Sequence, residues 1–182
     1  MDLNKWYNKG IPVEEYIRSM EKHKEQLLHV YNHFKLPDKR QTLKEIEEKK
    51  LRVIVLTEDW CGDAMLNLPI LLHIAKEINM DVRILYRDDN LELMDQYLTN
   101  GKSRSIPIFI FIDEDGNEVA KWGPRAEAVQ QFVDETLTAL PPKDAANYEQ
   151  EFKKAIQLMT TSYHQNKQFW SDVFDSIIAT LK

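Results

Sequence analysis

A single cysteine, Cys61, stands in the run Asp59-Trp60-Cys61-Gly62-Asp63-Ala64. It falls between a β-branched apolar stretch and a long segment of helical periodicity, so its thiol is expected at a strand-to-helix turn. There the unpaired N–H groups of the helix start and the positive end of its dipole favour a thiolate. That is a place for a nucleophile, with Gly62 allowing the turn; the bland alternative is a small buried hydrophobe. Asp63 acts on the same thiol in two senses. A carboxylate in the first helical turn suits the dipole and caps the helix, while its like charge opposes thiolate formation. The second chemical feature is Ser105-Ile106-Pro107. A proline opening an interior strand is unusual unless its position or its bond isomer has a purpose, and a cis bond is one such purpose.

Other candidates read as ordinary surface. His29 and His33 are four residues apart on one helix face, with His23 earlier on the same segment, a spacing that would suit a metal. The surrounding Lys and Glu mark a solvated face instead, and no metal and no cofactor enter the reading. Lys121 and Arg125 are either plain surface charge or a means of steering an anionic thiol.

The elements that hold Cys61 and Pro107 follow from periodicity. Tyr16, Ile17, Met20, Leu27, Val30, Tyr31 and Phe34 recur at helical spacing up to Pro37, and a shorter helix is expected over 38–49. Leu51–Thr57 reads as a strand buried on both faces. A helix is expected over 63–79, a strand over 82–86 and a short helix over 91–99, closed by Asn100-Gly101. A strand over 108–112, an Asp-Gly turn at 113–117 and a strand over 118–122 form a hairpin. A helix over 127–140 ends at Pro141-Pro142, and 145–182 is helical again. Crossovers through helices imply parallel strands first, and the hairpin adds an antiparallel pair. The expected class is α/β: a mixed sheet flanked by helices over 50–140, with helical extensions at 1–49 and 141–182, packed as one globular unit.

Composition narrows the function classes. Of 182 residues 43% are hydrophobic and 10% aromatic, with 5 Gly and 7 Pro, which removes the disordered and low-complexity readings. A net charge of −6 argues against binding to nucleic acid or anionic lipid. The longest apolar run, Ile106–Ile112, is far short of the ~20 residues that cross a bilayer. Met1–Trp6 has no apolar region of the secretory kind. One cysteine excludes an internal disulfide framework and a cysteine-based zinc site. The expectation is a cytoplasmic protein with a reduced thiol.

Trp60-Cys61-Gly62 after a buried strand resembles the active-site loop of thioredoxins. Pro69, eight residues beyond Cys61, matches the proline of that family's active-site helix. Ile106-Pro107 matches its cis-proline loop, Phe111–Val119 its next hairpin, and Gly123 the glycine that ends the last strand. The resemblance covers about 50–140 and extends to a group of bacterial thioredoxin-family proteins. It implies Cys61 as nucleophile with Asp63 modulating it. It also implies that Trp60 and Trp122 wall the site, and that Gly62, Ile106 and Pro107 shape a groove for substrate. The partner would be a protein disulfide or a small thiol.

The departures are specific. The family's second cysteine is Ala64, and its middle proline is Asp63. Its buried acid, six residues before the first cysteine, is Val55, and the partner lysine falls near Ile84. The resolving thiol and its proton relay are missing together. Two functions fit: monothiol thiol–disulfide exchange through Cys61, resolved by an external thiol, or a non-catalytic binding module on the same fold.

Overall fold

The computed structural model describes residues 2–182. The order is α1 (Leu3–Lys9), β1 (Ile11–Pro12), α2 (Val13–Ser19), α3 (Lys24–His33), α4 (Arg40–Glu47), β2 (Arg52–Thr57) and α5 (Gly62–Glu77). There follow β3 (Val82–Tyr86), α6 (Leu91–Met94), β4 (Ile108–Ile112), β5 (Glu118–Trp122), α7 (Glu127–Thr138), α8 (Tyr148–Gln165) and α9 (Lys167–Leu181). The strands form one sheet in the order β1-β3-β2-β4-β5. The β2–β3 pair is parallel, as its helical crossover requires. β4 and β5 join antiparallel, and β1 adds a two-residue antiparallel edge.

Period-two alternation divides the sheet between two apolar layers. Val53, Val55, Ile84, Phe109 and Phe111 face one layer, with side chains from α3, α5, α7, α8 and α9. Ile54, Leu56, Leu85, Ile108, Ile110 and Ile112 face the other, with Leu3, Trp6 and Tyr7 of α1 and Leu93 and Met94 of α6. β2 and β4 are therefore buried on both sides, which explains their unbroken apolar runs.

The helical segments differ in detail from the sequence reading. The stretch read as one helix up to Phe34 is two helices, because His23 adopts a left-handed conformation (φ 55°). The break is held from the far side of the chain: Asp59 Oδ2 accepts the backbone N–H groups of Glu21 (2.8 Å) and Lys22 (3.2 Å). α1 and β1 were not expected. The segment over 91–99 shortens to α6, and the rest of it forms turns. The last helical stretch splits at Asn166, which ends α8 and caps α9 through its own side chain (3.0 Å from Gln168 N). The apolar stripe of α9, from Phe169 to Leu181, is buried. Among the described residues, no helix is long and apolar enough to cross a membrane.

Candidate active site

Cys61 is the residue immediately before α5, in extended conformation, at the C-terminal end of the central strand. Its backbone N–H donates to the Glu58 carbonyl (3.2 Å). Its thiol donates to the Ile106 carbonyl oxygen at 3.3 Å. The β2–α5 turn and the loop before β4 thus meet at the sulfur, 45 residues apart in sequence. The Ile106–Pro107 and Gly123–Pro124 peptide bonds are both cis.

Burial decides the state of the thiol. Cys61 is 7% exposed, and burial, then the nearby Asp63 charge, push its pKa up to about 12. The backbone N–H groups of Ala64 and Asp63 and the Arg125 guanidinium pull the other way and lose. The helix start favours the thiolate, but desolvation outweighs it here. At neutral pH the group is a thiol that donates a hydrogen bond.

Asp63 does not cap α5. It lies in the first turn, and Arg125 takes both of its oxygens, Nε to Oδ1 and Nη2 to Oδ2, each at 2.7 Å. This is a paired, planar fork in a half-buried place, the geometry in which Arg is strongest. Arg125 Nη1 reaches Gln130 (3.0 Å), whose amide is tied to Asp134 (2.8 Å). The hydroxyl of Tyr163, on α8, faces the same pair, and its pKa is raised by burial and then by Asp63. Arg125 therefore belongs to the site rather than to open surface. Lys121 instead lies over the Tyr97 ring.

Of the two predicted tryptophan walls, one is at the surface beside Cys61 and one is not. Trp60 is 42% exposed, with the Arg87 guanidinium 4.8 Å from its ring centre. Trp122 is buried in the other layer, away from the cluster that holds Cys61. It stacks on Phe109 at 5.0 Å and donates its indole N–H to Ser176 of α9 (2.8 Å). Strand alternation is the reason: the residue that points to the Cys61 layer is Lys121, its neighbour.

Gly62 is also not the glycine that the turn demands, since a Cβ there would meet nothing within 4 Å. Gly123 is. It has φ +122°, and an added Cβ would fall 2.2 Å from the Pro107 carbonyl oxygen. Pro107 itself is buried. Val55 and Ile84 stand opposite each other in the β2–β3 register, both buried, so an apolar pair stands where the resemblance would put an acid and, near it, a lysine.

Three residues escaped the sequence reading. Glu58 is a buried carboxyl whose pKa burial raises, held by the Asp88 N–H (2.9 Å). Arg87 covers Trp60. Tyr163 arrives from a helix a hundred residues downstream, and no local signal marks it. His29 and His33 stack at 4.2 Å, with His164 of α8 at 5.9 Å from His29. Among the described residues, no group of three or more His, Cys, Asp or Glu is placed to hold a metal ion.

A family model described as thioredoxin matches residues 10–140. Thioredoxin H-type 1 of Nicotiana tabacum is 33% identical over 91 residues, which are 50% of this chain and 69% of that protein. Among solved structures, an HIV epitope-scaffold is similar with a TM-score of 0.67 at 16% identity, covering 100% of this chain and 98% of its own. A protein of unknown function from Pseudomonas aeruginosa has a TM-score of 0.64 at 18% identity, covering 98% of each chain. At those identities the two structures show the fold alone, and they show it with the flanking helices included. The matched region carries the β2–α5 turn with Cys61, the loop of Pro107 and the glycine that closes on it, and on that ground the chain belongs to the thioredoxin family.

Proposed function

We propose that this chain is a monothiol thiol–disulfide exchange protein in which Cys61 is the sole reacting sulfur. The observation that carries the reading is the 3.3 Å contact between the Cys61 thiol and the Ile106 carbonyl: the nucleophile and the proline loop meet while position 64 holds no thiol. Family membership supports a general thiol–disulfide role, and the single cysteine supports the monothiol form. The one-thiol chain suits a reducing, cytoplasmic setting.

The exchange runs in two balanced steps. Cys61 gives up its proton to solvent, and the thiolate attacks one sulfur of a disulfide. A Cys61–sulfur bond forms, the disulfide bond breaks, and the other sulfur leaves as a thiolate. An external thiolate then attacks the substrate sulfur of the mixed disulfide, forms a new disulfide with it, and returns Cys61 as a thiolate. Because burial holds Cys61 protonated, substrate docking has to displace the thiol from the Ile106 carbonyl before the first step. An extended peptide at Ile106–Pro107 would compete for that same carbonyl.

The burial and raised pKa of Cys61 favour a second reading, a binding module that kept the groove without the chemistry. Incubation with glutathione disulfide at pH 8, followed by intact-mass measurement, separates the two. The exchange reading expects one mixed-disulfide adduct on Cys61, released by added reduced thiol. An absence of adduct on the folded chain, under conditions where the urea-unfolded chain is modified, would leave the binding module.

A further inference from the structure

We propose that Arg125 is a positioning residue for Cys61: by holding both oxygens of Asp63 it neutralises the first-turn carboxylate and keeps it off the backbone N–H groups that a thiolate at Cys61 would face. This rests on the reading of Cys61 as the reacting group, and it extends the site to the loop after β5 and to α8.

The argument starts from the helix end. The first turn of α5 offers N–H groups with no partner within the helix. Cys61 is the N-cap of α5, and its sulfur takes no hydrogen bond from that turn; it donates to the Ile106 carbonyl instead (3.3 Å). Those N–H groups stay open to a thiolate formed at Cys61. A carboxylate in the same turn is their natural competitor, since short acidic side chains bond the N–H groups of a helix start. It is also a like charge beside a developing thiolate. Both of its oxygens are engaged at 2.7 Å by one guanidinium, which fixes the carboxylate and neutralises it.

Arg125 is fixed in turn from three directions. Gln130 holds Nη1 (3.0 Å). The Pro124 carbonyl, one residue away, accepts from the buried Asn67 of α5 (2.8 Å), so the loop is tied to the helix it serves. Tyr163 of α8 packs its hydroxyl against the pair. A lysine at 125 would supply charge without the fork. Asp63 is then not a catalytic acid or base; it is the lever through which Arg125 reaches the sulfur.

A double-mutant cycle on the full chain tests this, with the rate of Cys61 alkylation by neutral iodoacetamide measured between pH 7 and 10 and Tm as a check on folding. Arg125→Met is expected to slow alkylation about tenfold at a given pH, the equivalent of one pKa unit. In the Asp63→Asn background the same change is expected to cost less than about threefold, because the lever is already gone. Asp63→Asn alone should speed the reaction. Arg125→Lys should fall between parent and Arg125→Met, and it serves if the methionine variant does not fold. Equal slowing by Arg125→Met in both backgrounds, an unchanged rate in the parent background, or a lysine variant as fast as the parent would each overturn the proposal. The readout needs one thiol and one reagent. A chain that shows the coupling but forms no mixed disulfide keeps the positioning role and loses the exchange reading.

Discussion

Gly123 touches Pro107 so closely that a Cβ at position 123 would fall 2.2 Å from the Pro107 carbonyl oxygen, while its φ of +122° suits no other residue type. The end of β5 and the start of β4 are thereby locked together beneath the thiol. Gly123→Ala combines a steric clash with a strained backbone, and it is expected to cost about 3 kcal/mol in urea unfolding. Gly62→Ala fills open space beside Cys61 and is expected to stay within about 0.5 kcal/mol. Equal losses for the two would contradict the assignment of Gly123 as the constrained glycine.

The protonated thiol makes alkaline stability depend on Cys61. Its pKa, near 12 in the fold, lies above the unfolded value of about 8.5. The unfolded chain therefore releases this proton first as pH rises. The stabilisation is complete below about pH 8.5 and is lost progressively as pH climbs toward 12. Tyr16, Tyr97 and Tyr163, raised by burial, act in the same sense. Cys61→Ala should flatten the fall in unfolding free energy between pH 8.5 and 10.5 without abolishing it. An unchanged slope would mean that the thiol is not held protonated.

The two tryptophans at the site loop and on β5 should separate cleanly on mutation. Trp122→Phe keeps the stack on Phe109 but strands the Ser176 hydroxyl, and is expected to cost about 1–2 kcal/mol. Its alkylation rate at Cys61 should match the parent's. Trp60→Ala removes a ring that is 42% exposed, so stability should change by less than about 1 kcal/mol. Mixed-disulfide formation with a peptide disulfide is where its effect is expected. Stopped-flow labelling and calorimetry on the same two variants decide the matter.

Ala64→Cys places a second thiol three residues along from Cys61, in the first turn of α5. An oxidised form with an internal disulfide is then expected, and release of a mixed disulfide no longer needs an external thiol. Val55 and Ile84 put no acid and no lysine at that pair of β2–β3 positions to move its proton. Resolution should therefore be slow and should rise with pH. Single-turnover release followed by mass measurement would show it, and release as slow as in the parent would mean that position 64 does not reach the Cys61 sulfur.

The sheet was legible because burial on both faces writes itself into β2 and β4 as unbroken apolar runs, and because the Asp-Gly turn announces the hairpin. Cys61 and Pro107 were legible because each sits at the boundary of such a run. What escaped depends on distance or on backbone conformation. The break at His23 requires a left-handed residue that is not glycine, and it is stabilised by Asp59, 36 residues further along. Trp122 was assigned to the wrong face because a short edge strand with only one buried residue gives alternation little to act on. Arg125 stayed open between surface charge and a steering group because its partner lies 62 residues away, and Tyr163 gave no site signal because the fold alone brings α8 there. The balance at Cys61 could not be signed until burial was known, since the helix end and the carboxylate oppose each other.

The order in which these parts leave the ribosome gives the closed site a history. Cys61 emerges before the Ile106 loop and the β4 face that bury it, and Arg125 follows later still. Translation at roughly 5–20 residues per second leaves an interval of about 3–13 seconds between Cys61 and Arg125. During that time the sulfur has neither its buried surroundings nor the finished Arg125 pair. A nascent chain thus carries an ordinary reactive thiol that becomes guarded only once the Ile106 loop and Arg125 have folded onto it, and ribosome-bound chains stalled before residue 106 should be far more easily oxidised than the folded protein.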